Sequence, residues 1–233
     1  VIVRLLQALK LVELVGQSRF EKIRGPRLAE FLEIISTAAG DEVLVGPAAL
    51  PEPSRAGRLQ FRMLCAQYSR RDMAGQRNSL WRTRWRLFRM ALRFARGTGQ
   101  VPRVQEQFSE VPFSELERNF GPLSMDAEEV LTRYLRVKIQ GLHFCGPAYY
   151  NVPLVEGFQS LALVVPAVLW MARWLALGRG SQNLETADVT QALSIADHHH
   201  GFSPAFGQFG FRRRVRLLAF ADDISKLAAW YSR

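Results

Sequence analysis

The chain has 233 residues and a mass of 26.5 kDa, with 31 basic and 21 acidic side chains and a formal net charge of +10. Hydrophobic residues at 48% and charged residues at 22% exclude a disordered chain and supply a sizeable core. Two cysteines, Cys65 and Cys145, exclude a disulfide scaffold and a self-contained four-cysteine metal site.

The chain starts at Val1, not Met, and directly in a helical pattern, with Leu5, Leu6, Leu9 and Val12 on one side to Val15. No secretory signal pattern is visible, and further chain upstream of Val1 is expected. Ser18-x-x-Glu21 reads as a capping box opening a short helix that stops at Gly25. Pro26 suits the first turn of the next helix, carried by Leu28, Phe31, Leu32 and Ile35. Residues 39–56 hold Gly40, Gly46, Pro47, Pro51 and Pro53, which predicts a loop and a possible lobe boundary in one helical domain spanning 1–233.

Two long helices are predicted over 57–74 and 78–96, separated near Gly75. Residues 97–124 are rich in Gly and Pro and read as turns, with Ser114-x-x-Glu117 capping one short turn. Asp126-x-x-Glu129 predicts a helix start, and that helix runs to Gly141. An aromatic loop, 143–153, precedes an apolar helix from 154 to 177. Thr186 or Asp188 opens another helix, which passes His198, His199 and His200 to Gly201. The last helix is predicted as one piece over 211–230. No segment alternates with period two, so no sheet is expected. The fold class is therefore all-α, an irregular multi-helix bundle around the apolar helix 154–177.

That central helix contains twelve consecutive apolar residues, Leu161 to Ala172. Pro166 falls near its middle and Arg173 interrupts its extension, and a membrane span needs roughly twenty apolar residues. A buried core helix is expected, with Trp170 and Trp174 inside, and no membrane span. A cytoplasmic location is expected on the same grounds.

The charge is not spread evenly. Arginine outnumbers lysine 27 to 4, and residues 70–103 hold ten arginines and one acid, Asp72. A smaller cluster is Arg212, Arg213, Arg214 and Arg216. On a helical wheel Arg82, Arg86, Arg89, Arg93 and Arg96 share a sector about 80° wide. Trp81, Trp85, Phe88 and Leu92 form one flanking apolar face; Leu87, Met90 and Phe94 form another. Both faces are expected against neighbours, leaving the arginine strip open. At that spacing the tryptophans are expected to point to the core and not to serve as base-stacking platforms. Five guanidinium groups in a row repel one another unless something negative faces them. That can be Glu106, Glu110, Glu115 and Glu117 of the same chain, solvent and salt, a phosphate backbone, an acidic protein or an anionic membrane face.

His143-x-Cys145 on a turn offers two metal-ligating side chains, a fragment of a site. Cys65 sits at helical spacing with Phe61 and Tyr68 and reads as core. His198, His199 and His200 point 100° apart and cannot converge on one metal, and no cofactor site is complete within the chain. No phosphate-binding loop, nucleophile elbow or H-E-x-x-H motif occurs. Glu128-Glu129 and Asp222-Asp223 carry no mark of catalysis.

Several segments in order carry a resemblance. They are Ser54-Arg-x-Gly-Arg-Leu-x-Phe61, Tyr68-Ser-Arg-Arg-Asp72, Leu92-Arg-Phe-Ala-Arg-Gly97, Val101-Pro-Arg103, Tyr134-Leu-Arg-Val-Lys-Ile-Gln-Gly-Leu-His-Phe-Cys-Gly-Pro147, Leu154-Val-Glu-Gly-Phe158, Leu193-Ser-Ile-Ala-Asp-His198 and Ala229-Trp-Tyr-Ser-Arg233. Together they resemble the C-terminal region of YkgJ-type cysteine-cluster proteins, a bacterial family described as zinc- or iron-chelating. Flagellin lysine-N-methylases are distant relatives of that family. The cysteine cluster that defines the family is absent here. The resemblance implies that zinc or an iron–sulfur cluster would be held upstream of Val1, with Cys145 as an extra ligand. A methylase-type activity of the parent protein is implied by the same distant resemblance. The residues themselves support a second expectation, a helical binding module that uses the arginine strip against nucleic acid or another polyanion.

Overall fold

The computed structural model describes residues 6–9, 11, 22–43, 50–69 and 80–233, with the side chains of 41–43, 80–84, 86 and 87 outside that description. The expected capping box at Ser18, the break near Gly75 and most of the helix over 1–15 lie outside the described residues. The chain divides into two compact units, 1–52 and 53–233. In the first, α1 spans Pro26–Val43 and buries Ile35 and Ala39. It runs through Gly40, so the connection before the second unit starts later than the glycine and proline content suggests.

The second unit contains α2 (Arg55–Tyr68), α3 (Leu80–Arg96), the single turn α4 (Phe113–Leu116), α5 (Met125–Gln140), α6 (Leu154–Gly178), α7 (Thr186–His199), a 3₁₀ turn (Pro204–Phe206), α8 (Phe209–Phe220) and α9 (Asp223–Tyr231). Among the described residues there is no strand, only two isolated bridges, Gln100 with Pro112 and Gly146 with Val152. The architecture is all-α with α6 in the centre, as the apolar run from Leu161 requires. From Gly157 to Ala176 nearly every side chain of α6 is buried, and α2, α4, α7, α8 and α9 pack around it. Burial of the whole run explains a helix apolar on all sides in a bundle.

Several boundaries differ from the sequence expectation: the helix expected over 57–74 is α2, which starts at Arg55 after the cap Ser54 and ends at Tyr68 with its C-cap at Ser69. The N-cap of α5 is Ser124, whose hydroxyl accepts from the Ala127 amide at 3.2 Å; Asp126 sits in the first turn, where its charge faces the positive helix end. The short turn α4 begins after Pro112 and not at Ser114. The final helix is two helices, because Asp222 adopts a left-handed conformation (φ 55°) between α8 and α9. No glycine or proline marks that break. It is set by a distant contact: the buried carboxylate of Asp223 accepts from the Ser54 amide at 3.0 Å and from its hydroxyl at 2.6 Å. Ser54 in turn caps α2 by accepting from the Gly57 amide at 2.8 Å. A Cβ on Gly57 would stand 2.1 Å from the Asp223 carboxylate, so glycine is required for the two helix starts to meet.

Gly157 plays the equivalent part at the start of α6. A Cβ there would lie 1.9 Å from the Phe144 carbonyl oxygen, so the aromatic loop can lie directly on the helix. The loop also sends Tyr149 inward to share a 2.7 Å hydrogen bond with Ser160.

Arg173 is the most polar residue of the core and is 1% exposed. Its guanidinium donates to the carbonyls of Leu116 and Arg118 at 3.3 and 2.8 Å, and to those of Tyr231 and Arg233 at 3.0 and 2.6 Å. These carbonyls lie at the C-terminal ends of α4 and α9, where helices leave their last acceptors without partners and carry partial negative charge. Phe120 and Tyr231 cover the guanidinium with their rings. Burial lowers its pKa to about 10, with Tyr231 and Glu117 acting in the opposite sense, so it stays a cation at neutral pH.

His200 is also buried, stacked on Tyr149 with ring centroids 4.6 Å apart and with Nδ1 3.5 Å from the Tyr68 hydroxyl. Its Nε2 has no hydrogen-bond partner. Desolvation, reinforced by Lys138 and opposed by Asp197, lowers its pKa to about 3. The folded state therefore holds it neutral, while the unfolded chain protonates near 6.5. This contribution is complete above pH 6.5 and is lost progressively as the pH falls toward 3, at up to about 1.4 kcal/mol per pH unit. Urea titrations between pH 7 and 5, above the carboxylate range, should show a fall in stability that His200→Phe removes. An equal fall in the variant would refute the assignment.

Candidate anion-binding surface

The arginine helix α3 is fastened by its C-terminal half. Phe94 is fully buried and meets Phe113, Trp170 and Trp174 at ring-centroid distances of 5.8, 6.1 and 6.2 Å. Arg62 of α2 donates from Nε to the Phe94 carbonyl at 3.1 Å and from Nη2 to the Ala95 carbonyl at 3.2 Å, satisfying the helix end. Gly97 turns the chain away with φ 62°, and a Cβ there would sit 2.4 Å from the Arg62 guanidinium. One side of α3 is thus fixed to the bundle.

The other side is open, and more of it is open than the wheel implies. Trp85, Phe88 and Leu92 are 58%, 57% and 40% exposed, with Trp85 and Phe88 stacked on each other. This corrects the expectation that both apolar faces pack against neighbours. Only the face carrying Phe94 does so, with Met90 partly covered. The tryptophan at position 85 accordingly points to solvent and not to the core. Trp85 and Phe94 are nine residues apart, which places them on opposite sides of the helix. Anchoring one side exposes the other.

Arg89, Arg93 and Arg96 are exposed beside this apolar strip. Among the described residues no carboxylate pairs with any of the three. The side chains of Arg82 and Arg86 lie outside the described residues. Of the four acids expected as candidates for pairing, Glu115 is bound to Arg118 at 2.7 Å. Glu117 faces Arg62 at 3.6 Å and accepts from the Tyr231 hydroxyl at 2.8 Å. The carbonyl of Glu106 accepts from Arg103, and no ion pair of Glu106 or Glu110 is seen among the described residues.

The other arginine cluster behaves differently. Glu156 of α6 receives Arg212 at 2.6 and 3.0 Å and Arg216 at 3.0 Å, and these two arginines hold its carboxyl below the usual carboxylate range. Arg214 donates to the Gly210 carbonyl at 3.0 Å. Arg179 at the end of α6 forks onto Asp188 and Glu185 at the start of α7. Arg212, Arg216 and Arg179 tie helices together, whereas Arg89, Arg93 and Arg96 make no ion pair with another element among the described residues.

Among the described residues His143 and Cys145 form no part of a metal-binding group. His143 is exposed, and its ring lies over Gly141. Cys145 is partly exposed, and its thiol points at the Leu142 carbonyl from 3.8 Å. No group of three His, Cys, Asp or Glu side chains suited to a metal occurs among the described residues. His200 is enclosed by aromatic rings, and Cys65 is buried in the core with burial raising its thiol pKa, as its helical spacing with Phe61 implies. The features missed from sequence are the exposed apolar strip and the Arg173 clamp. The interruption of an apolar helix by one arginine was the available signal for the clamp. Comparison with family models, curated proteins and solved structures returns no match to this chain.

Proposed function

We propose that the chain is a helical binding module that engages a polyanion through α3. The observation that supports it is the contrast in pairing. Most described arginines elsewhere in the second unit hold carboxylates or carbonyls, and the exposed exceptions, Arg55, Arg136 and Arg213, lie on three different helices, while Arg89, Arg93 and Arg96 stand exposed in a row on one helix without a carboxylate partner among the described residues. Like charges at one-turn spacing are mutually destabilising, so the row is explained by a partner that supplies negative charge. The cysteine-cluster reading, with zinc or an iron–sulfur cluster held upstream of Val1, rests on the sequence resemblance alone.

The test is a salt titration of binding to a simple polyanion such as heparin or oligo(dT). The logarithm of the association constant should fall linearly with the logarithm of salt concentration. Arg89→Ala, Arg93→Ala and Arg96→Ala together should reduce that slope by about three contacts' worth and weaken binding at low salt. No binding at low salt to a soluble polyanion or to an anionic surface, or an unchanged slope in the triple variant, would sink the proposal.

A further inference from the structure

We infer that the polyanion is the headgroup face of an anionic lipid bilayer, an inference that rests on the polyanion reading above. The observation that selects this occupant is what adjoins the arginines. Trp85, Phe88 and Leu92 form an exposed apolar strip along the same open side of α3. At 100° per residue Leu92, Trp85, Arg96, Arg89 and Arg93 follow one another around the helix, so the two strips share an edge with no gap between them. The anchor at Phe94 is on the opposite side, so the shared edge faces away from the helices of the second unit that hold α3. The result is a convex ridge, apolar along one flank and cationic along the other.

A bilayer surface is flat and receives such a ridge. Trp, Phe and Leu side chains enter the boundary between headgroups and acyl chains, while guanidinium groups stay at the level of the phosphates on their flexible stems. Anionic lipids add long-range attraction for the basic flank. A single-stranded nucleic acid fits less well. It is held in grooves and stacks its bases on open ring faces. Trp85 and Phe88 already stack on each other, with centroids 5.6 Å apart and planes 17° from parallel, so each has one face covered. Leu92 offers no ring at all.

The experiment uses the full chain with vesicles of phosphatidylcholine alone or with about 30% phosphatidylserine, and with oligo(dT) as the lipid-free polyanion. Binding should be at least tenfold stronger to the anionic vesicles. Phosphatidylserine brominated in its acyl chains should quench part of the tryptophan emission, and the part that persists in Trp230→Phe should come from α3, because Trp170 and Trp174 are sealed in the core whereas Trp230 is partly exposed. Trp85→Ala with Phe88→Ala should weaken vesicle binding about tenfold or more and leave any oligo(dT) binding unchanged. Circular dichroism checks that this variant folds, and the quenching of Trp230→Phe tests insertion with α3 intact. Salt-dependent oligo(dT) binding without vesicle binding overturns the lipid inference and leaves the polyanion reading standing. Binding to neither overturns both. Vesicle binding without quenching, or unaffected in the double variant, overturns the role assigned to the apolar strip.

Discussion

Arg173→Ala is expected to destabilise the 53–233 unit by about 3–5 kcal/mol, the range for removing one partner from a buried charged network. The change strips donors from four carbonyls at the ends of α4 and α9 at once. Each carbonyl left buried without a partner costs about 1–3 kcal/mol, and not all will be reached by water. Arg173→Lys should recover only part of the loss. A guanidinium serves two helix ends because its two terminal nitrogens diverge in a fixed plane, and a single ammonium cannot reach both. Equilibrium urea unfolding followed by circular dichroism measures the effect. A loss under about 1 kcal/mol for the alanine variant would show that the clamp is incidental.

The second large effect concerns the tryptophans of α6, which differ in a way that two conservative variants expose. Both rings are fully buried, 5.4 Å apart, and packed against Phe94. Replacing either with alanine should cost about 3–5 kcal/mol through lost burial and the cavity left behind. Phenylalanine separates them. Trp174 donates from Nε1 to the Ser109 carbonyl at 2.7 Å and stacks on Phe108, so Trp174→Phe removes a hydrogen bond and leaves a carbonyl unpaired. The Trp170 Nε1 has no partner in the core. Trp170→Phe removes an unsatisfied donor along with some volume, and should be the milder change by about 1 kcal/mol or more. If Trp170→Phe proves as costly as Trp174→Phe in urea unfolding, the hydrogen bond to Ser109 contributes nothing distinctive.

What could be read from sequence divides along the range of the interaction responsible. The run from Leu161 to Ala172 is apolar on every side, and only burial suits it, so the central helix and its two tryptophans were legible. Cys65 was legible from its helical spacing with Phe61 and Tyr68 on one face of α2. The break at Asp222 was not, because the residues around it are ordinary helix formers and the cause lies at Ser54. The open aromatic strip was not legible either. A wheel shows which residues share a face, but not how many neighbours the fold supplies; α3 has two apolar faces, and the bundle covers the one with Phe94. At the candidate surface the arginine row was visible as a charge pattern. That Arg212 and Arg216 would be neutralised by Glu156 while Arg89 and Arg93 would not depends on which helices meet, and local periodicity carries no record of that.

The Ser54–Asp223 contact bears on how this unit is made. A chain emerging from a ribosome presents α2 early, yet the carboxylate that braces its first turn follows 169 residues later. The acceptors that Arg173 grips in α9 are later still. The second unit thus has its beginning and its last helices pinned together, and contacts of such long separation close slowly because the intervening chain must first be ordered. Through most of synthesis the apolar surface of α6 lacks its final cover, and nascent chains in that state are the ones that chaperones engage. Stalling translation just before Asp223 would therefore yield an aggregation-prone intermediate in place of a smaller stable domain, and the order of release, not only the final contacts, governs the yield of folded protein.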